Sequence, residues 1–266
     1  MFDVEDRVVV ITGGGGVLCG EMGRALAAAG AKVVVLDLLE EAARKMAGQC
    51  GHGTLACTCD VLDRASIQAA AEFVLAKHGK IDTLVNGAGG NKKQATISQE
   101  VSFFDIPADA IQGVFNLNVI GTILPCQVFG QHMARQKEGI ILNISSMNAF
   151  RPLTRIAAYS AAKAAVSNFT QWLAVHMAQT YSTAIRVNAI APGFFLTDQN
   201  RFLLTDEKTG ALTTRGKTIR DHTPMGRFGE PGDLTGTVMW LLSDASRFVT
   251  GVVIPVDGGF SAFSGV

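Results

Sequence analysis

Short apolar runs rich in β-branched residues alternate with helix-forming stretches along the whole chain, and this alternation restricts the folds open to it. The apolar runs of strand length lie at about 7–12, 32–36, 54–59, 82–85, 140–144, 185–190 and 252–256. The helix-forming stretches lie at about 21–29, 40–47, 64–77, 109–136, 157–179 and 231–242. Buried strands joined by helical crossovers run parallel, so the pattern predicts an α/β fold with a doubly wound parallel sheet and helices on both faces.

The alternation continues through the chain without a linker, an internal repeat or a low-complexity tract. We therefore predict a single domain over residues 1–266. One long segment, about 194–229, lacks strand or helix periodicity and carries charges and turn residues. Because long irregular segments inside a domain are usually functional, this one is predicted to form a lid or substrate loop.

Charge and composition exclude several classes of partner. The 266 residues carry 23 basic and 23 acidic side chains without a basic block, which argues against a nucleic-acid partner. No apolar run reaches the roughly 18 residues of a membrane span, and the acidic N-terminus is unlike a signal peptide, so we expect a cytoplasmic protein without membrane contact. The five cysteines and five histidines lack metal-ligand spacing, so reduced thiols and no metal are expected.

Small, polar or acidic residues follow six of the predicted strands. In a doubly wound sheet, ligands bind beyond the carboxyl ends of the strands, so this edge is predicted to be a ligand site. The residues concerned are 13–16, Asp37, Asp60, 86–89, 145–146 and 192–193.

Four consecutive glycines, 13–16, follow the first predicted strand. They allow backbone N–H groups to approach a pyrophosphate, and the N-terminus of the next helix adds a favourable dipole. Asp37 ends the second strand, 24 positions after Gly13, close to the position expected of a ribose-binding acid. Its carboxylate would repel a 2′-phosphate, and Leu38 offers no cation. The pattern predicts a Rossmann-like site for NAD(H) rather than NADP(H).

Tyr159 and Lys163 stand four positions apart, which places them on one face of the predicted helix at 157–179. A tyrosine with its ordinary pKa of about 10 is a poor acid or base at neutral pH, and an adjacent ammonium lowers that pKa. This spacing alone is common in proteins. Its meaning depends on the residues that accompany it.

A set of motifs in a fixed order resembles the short-chain dehydrogenase/reductase family over essentially the whole chain. The motifs are Thr12-Gly13, Asn86-x-Ala88-Gly89, Asn118, Ser146, Tyr159-x-x-x-Lys163 and Pro192-Gly193. Ser146 and Tyr159 stand 13 positions apart, the interval that the family uses, which selects Ser146 over Ser145.

The resemblance implies four catalytic residues. Tyr159 is implied to be the general acid or base, and Ser146 to hydrogen-bond the substrate oxygen. Lys163 is implied to hold the nicotinamide ribose and to lower the pKa of Tyr159. Asn118 is implied to hold a water that links Lys163 to solvent.

The resemblance also implies contacts with the cofactor along the sheet edge. The residues are Gly13, Gly15, Gly16, Val17, Leu18, Asp37, Leu38, Asp60, Val61, Asn86, Gly87, Ala88, Tyr159, Lys163, Pro192, Gly193 and Phe195. Two features depart from the family pattern. Val17 and Cys19 stand at the second and third glycines of T-G-x-x-x-G-x-G, and Gly87 stands where an asparagine is usual.

The loops at 89–93, 145–152 and 194–201 are similar to those of a sugar-acid branch of the family, the D-mannonate oxidoreductases or fructuronate reductases. This similarity implies a keto-uronate substrate, D-fructuronate, reduced to D-mannonate. Amide side chains suit sugar hydroxyls, and arginines suit a carboxylate better than a lysine does. The candidate substrate-binding residues are Ser146, Asn91, Lys92, Asn148, Arg151, Arg155, Gln199, Asn200 and Arg201.

Two other functions stay open. A general keto-reductase, similar to gluconate 5-dehydrogenases or to 3-oxoacyl-carrier-protein reductases, would show apolar substrate loops and often a basic residue after the second strand. A regulator that senses NAD without chemistry would not need an intact set of Asn118, Ser146, Tyr159 and Lys163. The family resemblance further implies a homotetramer built on the helices at about 109–136 and 157–180.

Overall fold

Seven parallel strands form the central sheet of the computed structural model, which describes residues 2–197, 201–206 and 209–265. The strands are β1 Val8–Thr12, β2 Lys32–Asp37, β3 Leu55–Thr58, β4 Thr83–Asn86, β5 Gly139–Ile144, β6 Ile185–Pro192 and β7 Val253–Val256. Their order is β3-β2-β1-β4-β5-β6-β7, so the direction of winding reverses between β1 and β4. This confirms the predicted doubly wound sheet, and the reversal marks its ligand edge.

Helices cover both faces of the sheet. They are α1 Val17–Ala28, α2 Glu40–Cys50, α3 Arg64–His78, α4 Ala108–Phe115, α5 Gly121–Gln136, α6 Ala157–Thr180, α7 Arg201–Leu204, α8 Thr214–Asp221 and α9 Thr235–Leu242. On β1, Val9 and Ile11 pack with α1, α2 and α9, whereas Val8 and Val10 pack with α3, α5 and α6. The strand is apolar throughout because both of its faces are buried.

The segment predicted to be irregular, about 194–229, contains two helices in the described part, α7 and α8. The sequence of α8 gives no apolar periodicity because only Gly216 and Ile219 of its eight residues are buried. Its start is set locally, since the Thr213 hydroxyl accepts a hydrogen bond from the backbone N–H of Gly216 at 3.0 Å.

The helix predicted at 109–136 is interrupted by a π-helical turn, Asn116–Ile120, between α4 and α5. Taken together, Ala108–Gln136 is long and apolar enough to cross a membrane, since it contains a window of 18 residues with a mean hydropathy of 1.3, although no such stretch was predicted. Half of that window is buried inside the protein, and Phe129 and Met133 pack against the sheet. These contacts are those of a core helix.

Candidate active site

Ser146, Tyr159 and Lys163 converge beyond the end of β5. Ser146 begins a short 3-10 turn, and its hydroxyl accepts a hydrogen bond from the backbone N–H of Asn148 at 3.3 Å. The same hydroxyl is hydrogen-bonded to the Tyr159 phenol. The neighbouring Ser145 instead contacts α6, with its hydroxyl 2.7 Å from that of Ser167. The structure thus separates the two serines as the 13-residue interval predicted.

Lys163 lies one turn after Tyr159 on α6, and its ammonium is 5.6 Å from the centroid of the Tyr159 ring. The ammonium donates a hydrogen bond to the carbonyl of Ile144, the last residue of β5, at 2.7 Å. The side chain therefore crosses from α6 to the sheet edge, where the strand ends meet.

Burial dominates the electrostatics of this pair. Burial raises the pKa of Tyr159, although the hydrogen bond with Ser146 acts to lower it. Burial also lowers the pKa of Lys163 to about 8. The direction for Tyr159 is opposite to the one expected from an adjacent ammonium, because removal from water disfavours the phenolate. The raised pKa keeps Tyr159 protonated at neutral pH, which is the form that a proton donor must have before the reaction.

Asn118 lies fully buried in the π-helical turn and holds the loop after β4. Its amide donates to the carbonyls of Gly90 at 2.7 Å and Val114 at 2.8 Å, and its oxygen accepts from the N–H of Gly90 at 3.1 Å. A Cβ at Gly89 would stand 2.8 Å from the Asn118 oxygen and 3.2 Å from the Lys163 nitrogen. Gly89 therefore allows the loop, the π-turn and Lys163 to approach one another, a role that the sequence did not reveal.

The glycine run after β1 forms a tight turn into α1. Gly13 has a φ of +60°, and a Cβ there would lie 2.7 Å from the backbone of Ala88. Gly16 is the residue before α1. Because glycine has no side chain, no side-chain cap covers the first N–H groups of that helix. Val17 is exposed and Leu18 is only partly buried in this first turn. The turn has the open backbone that a pyrophosphate requires.

Asp37 lies at the end of β2, beside the glycine turn. Its carboxylate accepts hydrogen bonds from the N–H of Gly15 at 3.1 Å and of Leu39 at 3.1 Å. A Cβ at Gly15 would come within 2.8 Å of the carboxylate, so only glycine permits this approach. Leu38 is exposed beside it. The structure brings the predicted acid and the predicted glycine turn into direct contact.

Cys19 and Gly87, two of the three residues that depart from the family pattern, contact each other. A Cβ at Gly87 would lie 2.1 Å from the sulfur of Cys19. The larger residue on α1 thus occupies space that the smaller residue after β4 leaves, which explains why both departures occur in one chain. Burial raises the pKa of Cys19 to about 12, so its thiol stays protonated at neutral pH.

The Asn86 side chain makes its hydrogen bonds within the fold, and its contact with the cofactor stays a prediction. Its amide nitrogen donates to the Asn143 oxygen at 2.9 Å and to the Cys126 sulfur at 3.1 Å. The following residues, Gly87 and Ala88, donate their N–H groups to the Thr12 hydroxyl at 3.2 and 3.3 Å. Asn86 and Thr12 therefore shape the end of β4 from within the fold.

The other predicted cofactor residues lie at the same edge with their own local contacts. Asp60 accepts from the N–H of Leu62 at 2.8 Å, and Val61 is buried against Gly121. Pro192 ends β6, and Gly193 donates to the carbonyl of Val256 at 3.0 Å. The ring of Phe195 is buried against Gly229. That packing role was not predicted.

The predicted substrate residues separate into three groups. Asn148 is buried on the loop after β5, residues 145–152, which is the catalytic loop, and among the described residues its Oδ1 has no hydrogen-bond partner. Arg151, Arg155 and Arg201 are exposed. In the loop after β4, the Asn91 amide binds the Thr96 hydroxyl at 2.8 Å, and the Lys92 ammonium lies against Gly113 of α4. The predictions for Gln199 and Asn200 lie outside the described residues.

The five cysteines are free thiols. Within 2–197, 201–206 and 209–265, no group of three or more His, Cys, Asp or Glu side chains is placed to hold a metal ion.

Comparison with known proteins extends over most of the chain. A family model described as enoyl-(acyl carrier protein) reductase matches residues 18–261. An uncharacterised oxidoreductase of Bacillus subtilis named UxuB is 46% identical over 272 residues, or 98% of this chain and 96% of the relative. A 2-dehydro-3-deoxy-D-gluconate 5-dehydrogenase of Dickeya dadantii is 34% identical and is matched over 98% of each chain.

Among solved structures, a candidate D-mannonate oxidoreductase from Haemophilus influenzae with bound NAD has a TM-score of 0.92 to this chain. The two are 46% identical, and the match covers 99% of this chain and 98% of the other. The sheet order, the Ser146–Tyr159–Lys163 arrangement and these similarities lead to one assignment. This chain belongs to the short-chain dehydrogenase/reductase family.

Proposed function

We propose that this protein is an NAD-dependent oxidoreductase that interconverts a sugar-acid ketone and the corresponding alcohol, D-fructuronate and D-mannonate. The observation that carries the chemistry is the buried Ser146–Tyr159–Lys163 arrangement at the carboxyl edge of the sheet. An acid/base tyrosine that is hydrogen-bonded to a serine has no purpose in a protein that only senses a dinucleotide.

The glycine turn and Asp37 fit NAD(H). The uncapped start of α1 and the glycine backbone suit a pyrophosphate, and Asp37 at the end of β2 suits a ribose diol. When bound, NAD(H) supplies or accepts the hydride. Support for this cofactor also comes from the structural neighbour of 46% identity that holds NAD.

The protein's own residues move the proton. In the direction of reduction, Tyr159 donates its phenolic proton to the substrate oxygen, and Ser146 hydrogen-bonds the same oxygen. The neighbouring Lys163 ammonium then stabilises the phenolate that forms. Asn118 holds the loop after β4 in place beside Lys163, and we retain for it the role of binding a water there.

The choice of a sugar acid rests on relatives and on polarity. One similar structure is described as a candidate D-mannonate oxidoreductase, and one curated relative acts on 2-dehydro-3-deoxy-D-gluconate. The catalytic loop carries the buried amide of Asn148, which suits a hydroxyl better than an acyl chain. The five free thiols support a reducing compartment, the cytoplasm.

The test is a comparison of kcat/KM for D-fructuronate and for D-fructose with NADH as the reductant, with product analysis by chromatography. The acid is expected to be the better substrate by about tenfold or more, because a cation left without its carboxylate in a closed site is costly. Equal values would remove the carboxylate from the proposal. Reduction of neutral or acyl ketones alone would favour the general keto-reductase.

We further propose that the protein is a homotetramer in which α5 and α6 take part in subunit contacts. Aromatic side chains line the outer side of α6, where Phe169, Trp172 and His176 stack in succession. A groove of about 870 Å³ lies between α5 and α6 beside them. Large exposed aromatic surfaces of this kind usually mark contacts with another protein.

A further inference from the structure

Two arginines near the catalytic loop have no counter-ion among the described residues. Arg155 stands four positions before Tyr159, and Arg215 is the second residue of α8. Among the residues that the structure describes, neither guanidinium forms an ion pair or a hydrogen bond. Arg155 is exposed, whereas Arg215 is partly buried. A partly buried cation without a partner is uncommon, because burial of a charge is costly unless it is paired.

The two guanidinium groups are near enough to influence each other. The pKa of Arg215 is lowered, first by burial and then by the positive charge of Arg155. Arg215 lies in the first turn of α8, so the positive end of the helix dipole adds to the positive charge of the two guanidinium groups. Two cations and a helix N-terminus thus repel one another here, and an anion between them would remove this repulsion.

Packing holds α8 over the catalytic loop. Ile219, one turn after Arg215 on the same side of α8, is buried in a cluster with Met147 and Leu204. Leu153, two residues before Arg155, packs against the same cluster. Met147 directly follows Ser146 in the sequence. The cluster therefore ties the segment that carries Arg155 and the helix that carries Arg215 to the loop of Ser146.

We infer that Arg155 and Arg215 together bind the carboxylate of the substrate, at the end of the molecule remote from the reacting carbonyl. This inference rests on the proposed function and identifies which cations select the acid. Two guanidinium groups can each offer paired N–H donors to a carboxylate. Arg215 was not among the predicted substrate residues, since only the fold of α8 brings it to the catalytic loop.

The experiment measures kcat/KM for D-fructuronate and for D-fructose with NADH, in the wild type and in Arg155→Gln, Arg215→Gln and Arg215→Lys. The ratio of acid to neutral substrate is expected to fall about tenfold or more in each glutamine variant, because a charged hydrogen-bond partner is lost. Arg215→Lys is expected to retain an intermediate ratio, since it keeps the charge without the paired donors. The dissociation constant of NADH, measured by fluorescence, reports whether each variant still folds.

Arg220→Gln is the matched control, because Arg220 lies on the same helix, is exposed and pairs with Asp221. It is expected to leave the ratio unchanged. If the wild type shows no preference for the acid, the proposed substrate is wrong and the inference falls with it. If the wild type prefers the acid and both glutamine variants keep the preference, the inference is overturned while the proposed function stands. The inference would also be overturned if Arg220→Gln lowered the ratio of acid to neutral substrate as much as Arg215→Gln does.

Discussion

Burial opposes charge on both side chains of the Tyr159–Lys163 pair, yet the proposed chemistry needs each of them charged at some stage. The phenol is held in its protonated form, and the ammonium is held close to its titration point. Within the described part of the chain, the Lys163 ammonium has one hydrogen-bond acceptor, the Ile144 carbonyl. Burial of these two groups therefore lowers the free energy of unfolding, and it places them where the proposed proton transfer can occur.

Lys163→Met is expected to stabilise the protein while it abolishes turnover. The pKa of Lys163 falls from 10.5 in the unfolded chain to about 8 in the fold, so burial of the ammonium destabilises the folded state below pH about 8. The variant loses the hydrogen bond to the Ile144 carbonyl, which offsets part of the gain from removing the buried ammonium. The net gain should be about 2 kcal/mol in the free energy of unfolding at pH 7.

The pH dependence provides the check on this prediction. The unfolded chain binds the proton more tightly than the folded one, so the stability of the wild type rises from pH about 8 towards 10.5 as the penalty disappears. Urea unfolding at several pH values should show the variant's advantage shrinking over this range. An advantage that is absent at pH 7, or that grows with pH, would contradict the assignment.

Asp37 is expected to make the enzyme prefer NADH over NADPH by about tenfold or more in kcat/KM, a difference of about 1.4 kcal/mol. Its carboxylate would repel a 2′-phosphate at the end of β2. Asp37→Asn removes the charge and keeps one acceptor oxygen, which can accept from the N–H of Gly15 or of Leu39 but not from both. The ratio of kcat/KM for NADH to kcat/KM for NADPH should be smaller in this variant than in the wild type. Equal use of the two cofactors by the wild type would refute the prediction.

That the main candidate residues lie close together could be predicted from the sequence, but their contacts with other elements could not. The spacing of Ser146, Tyr159 and Lys163 is a local property of a loop and one helix, so it predicted their convergence correctly. The contact of Cys19 with Gly87 joins residues on different elements. It becomes visible only when α1 is packed against the end of β4.

At the scale of elements, glycine contacts show which helices are tightly docked. A Cβ at Gly216 of α8 would stand 2.2 Å from the carbonyl oxygen of Leu204 in α7, a backbone atom that cannot move aside without shifting the helix. By contrast, Gly48 lies exposed within α2 and a Cβ there meets nothing within 4 Å. The same substitution should have opposite effects at these two positions.

Gly216→Ala is expected to destabilise the docking of α8 by about 1–3 kcal/mol and to lower activity on D-fructuronate. Gly48→Ala, the matched control, should raise the free energy of unfolding by about 0.5–1 kcal/mol and leave activity unchanged. Thermal unfolding and steady-state kinetics measure both effects. If Gly216→Ala were as stable and as active as the wild type, α8 would not be docked as described.

Elements with buried faces were predictable, and those with few buried residues were not. The strands and the long helices carry apolar runs or stripes because the core demands them, and their predicted positions were correct to within a few residues. The polar helix α8 has no such stripe. The π-helical turn at Asn118 is a change in hydrogen-bond register, for which the sequence offers no periodic signal.

At the scale of the whole molecule, the outer side of α5 and α6 is the surface proposed for assembly. Trp172 is 58% exposed, and its ring stacks on His176 with centroids 4.9 Å apart. A charge in the middle of this aromatic row would be buried in a subunit contact. Lys163 lies on the buried side of α6, so the proposed assembly surface and the proposed chemistry would use opposite sides of one helix.

Trp172→Glu is expected to shift the protein from a tetramer to smaller species in sedimentation velocity, because burial of an unpaired carboxylate is costly. Gln49→Glu is the control, since it adds the same charge on the exposed side of α2, away from α5 and α6. It should leave the mass unchanged. A wild type that sediments as a monomer, or a tetramer that tolerates Trp172→Glu, would refute this assembly.

The most direct test of the whole account is the turnover of D-fructuronate with NADH by Tyr159→Phe. The ring keeps its packing, but the proton donor is removed, so kcat should fall by about 10²–10⁴-fold while the dissociation constant of NADH stays within about twofold of the wild type. Activity within about threefold of the wild type would contradict the assignment of Tyr159 as the acid, and with it the mechanism proposed for this site.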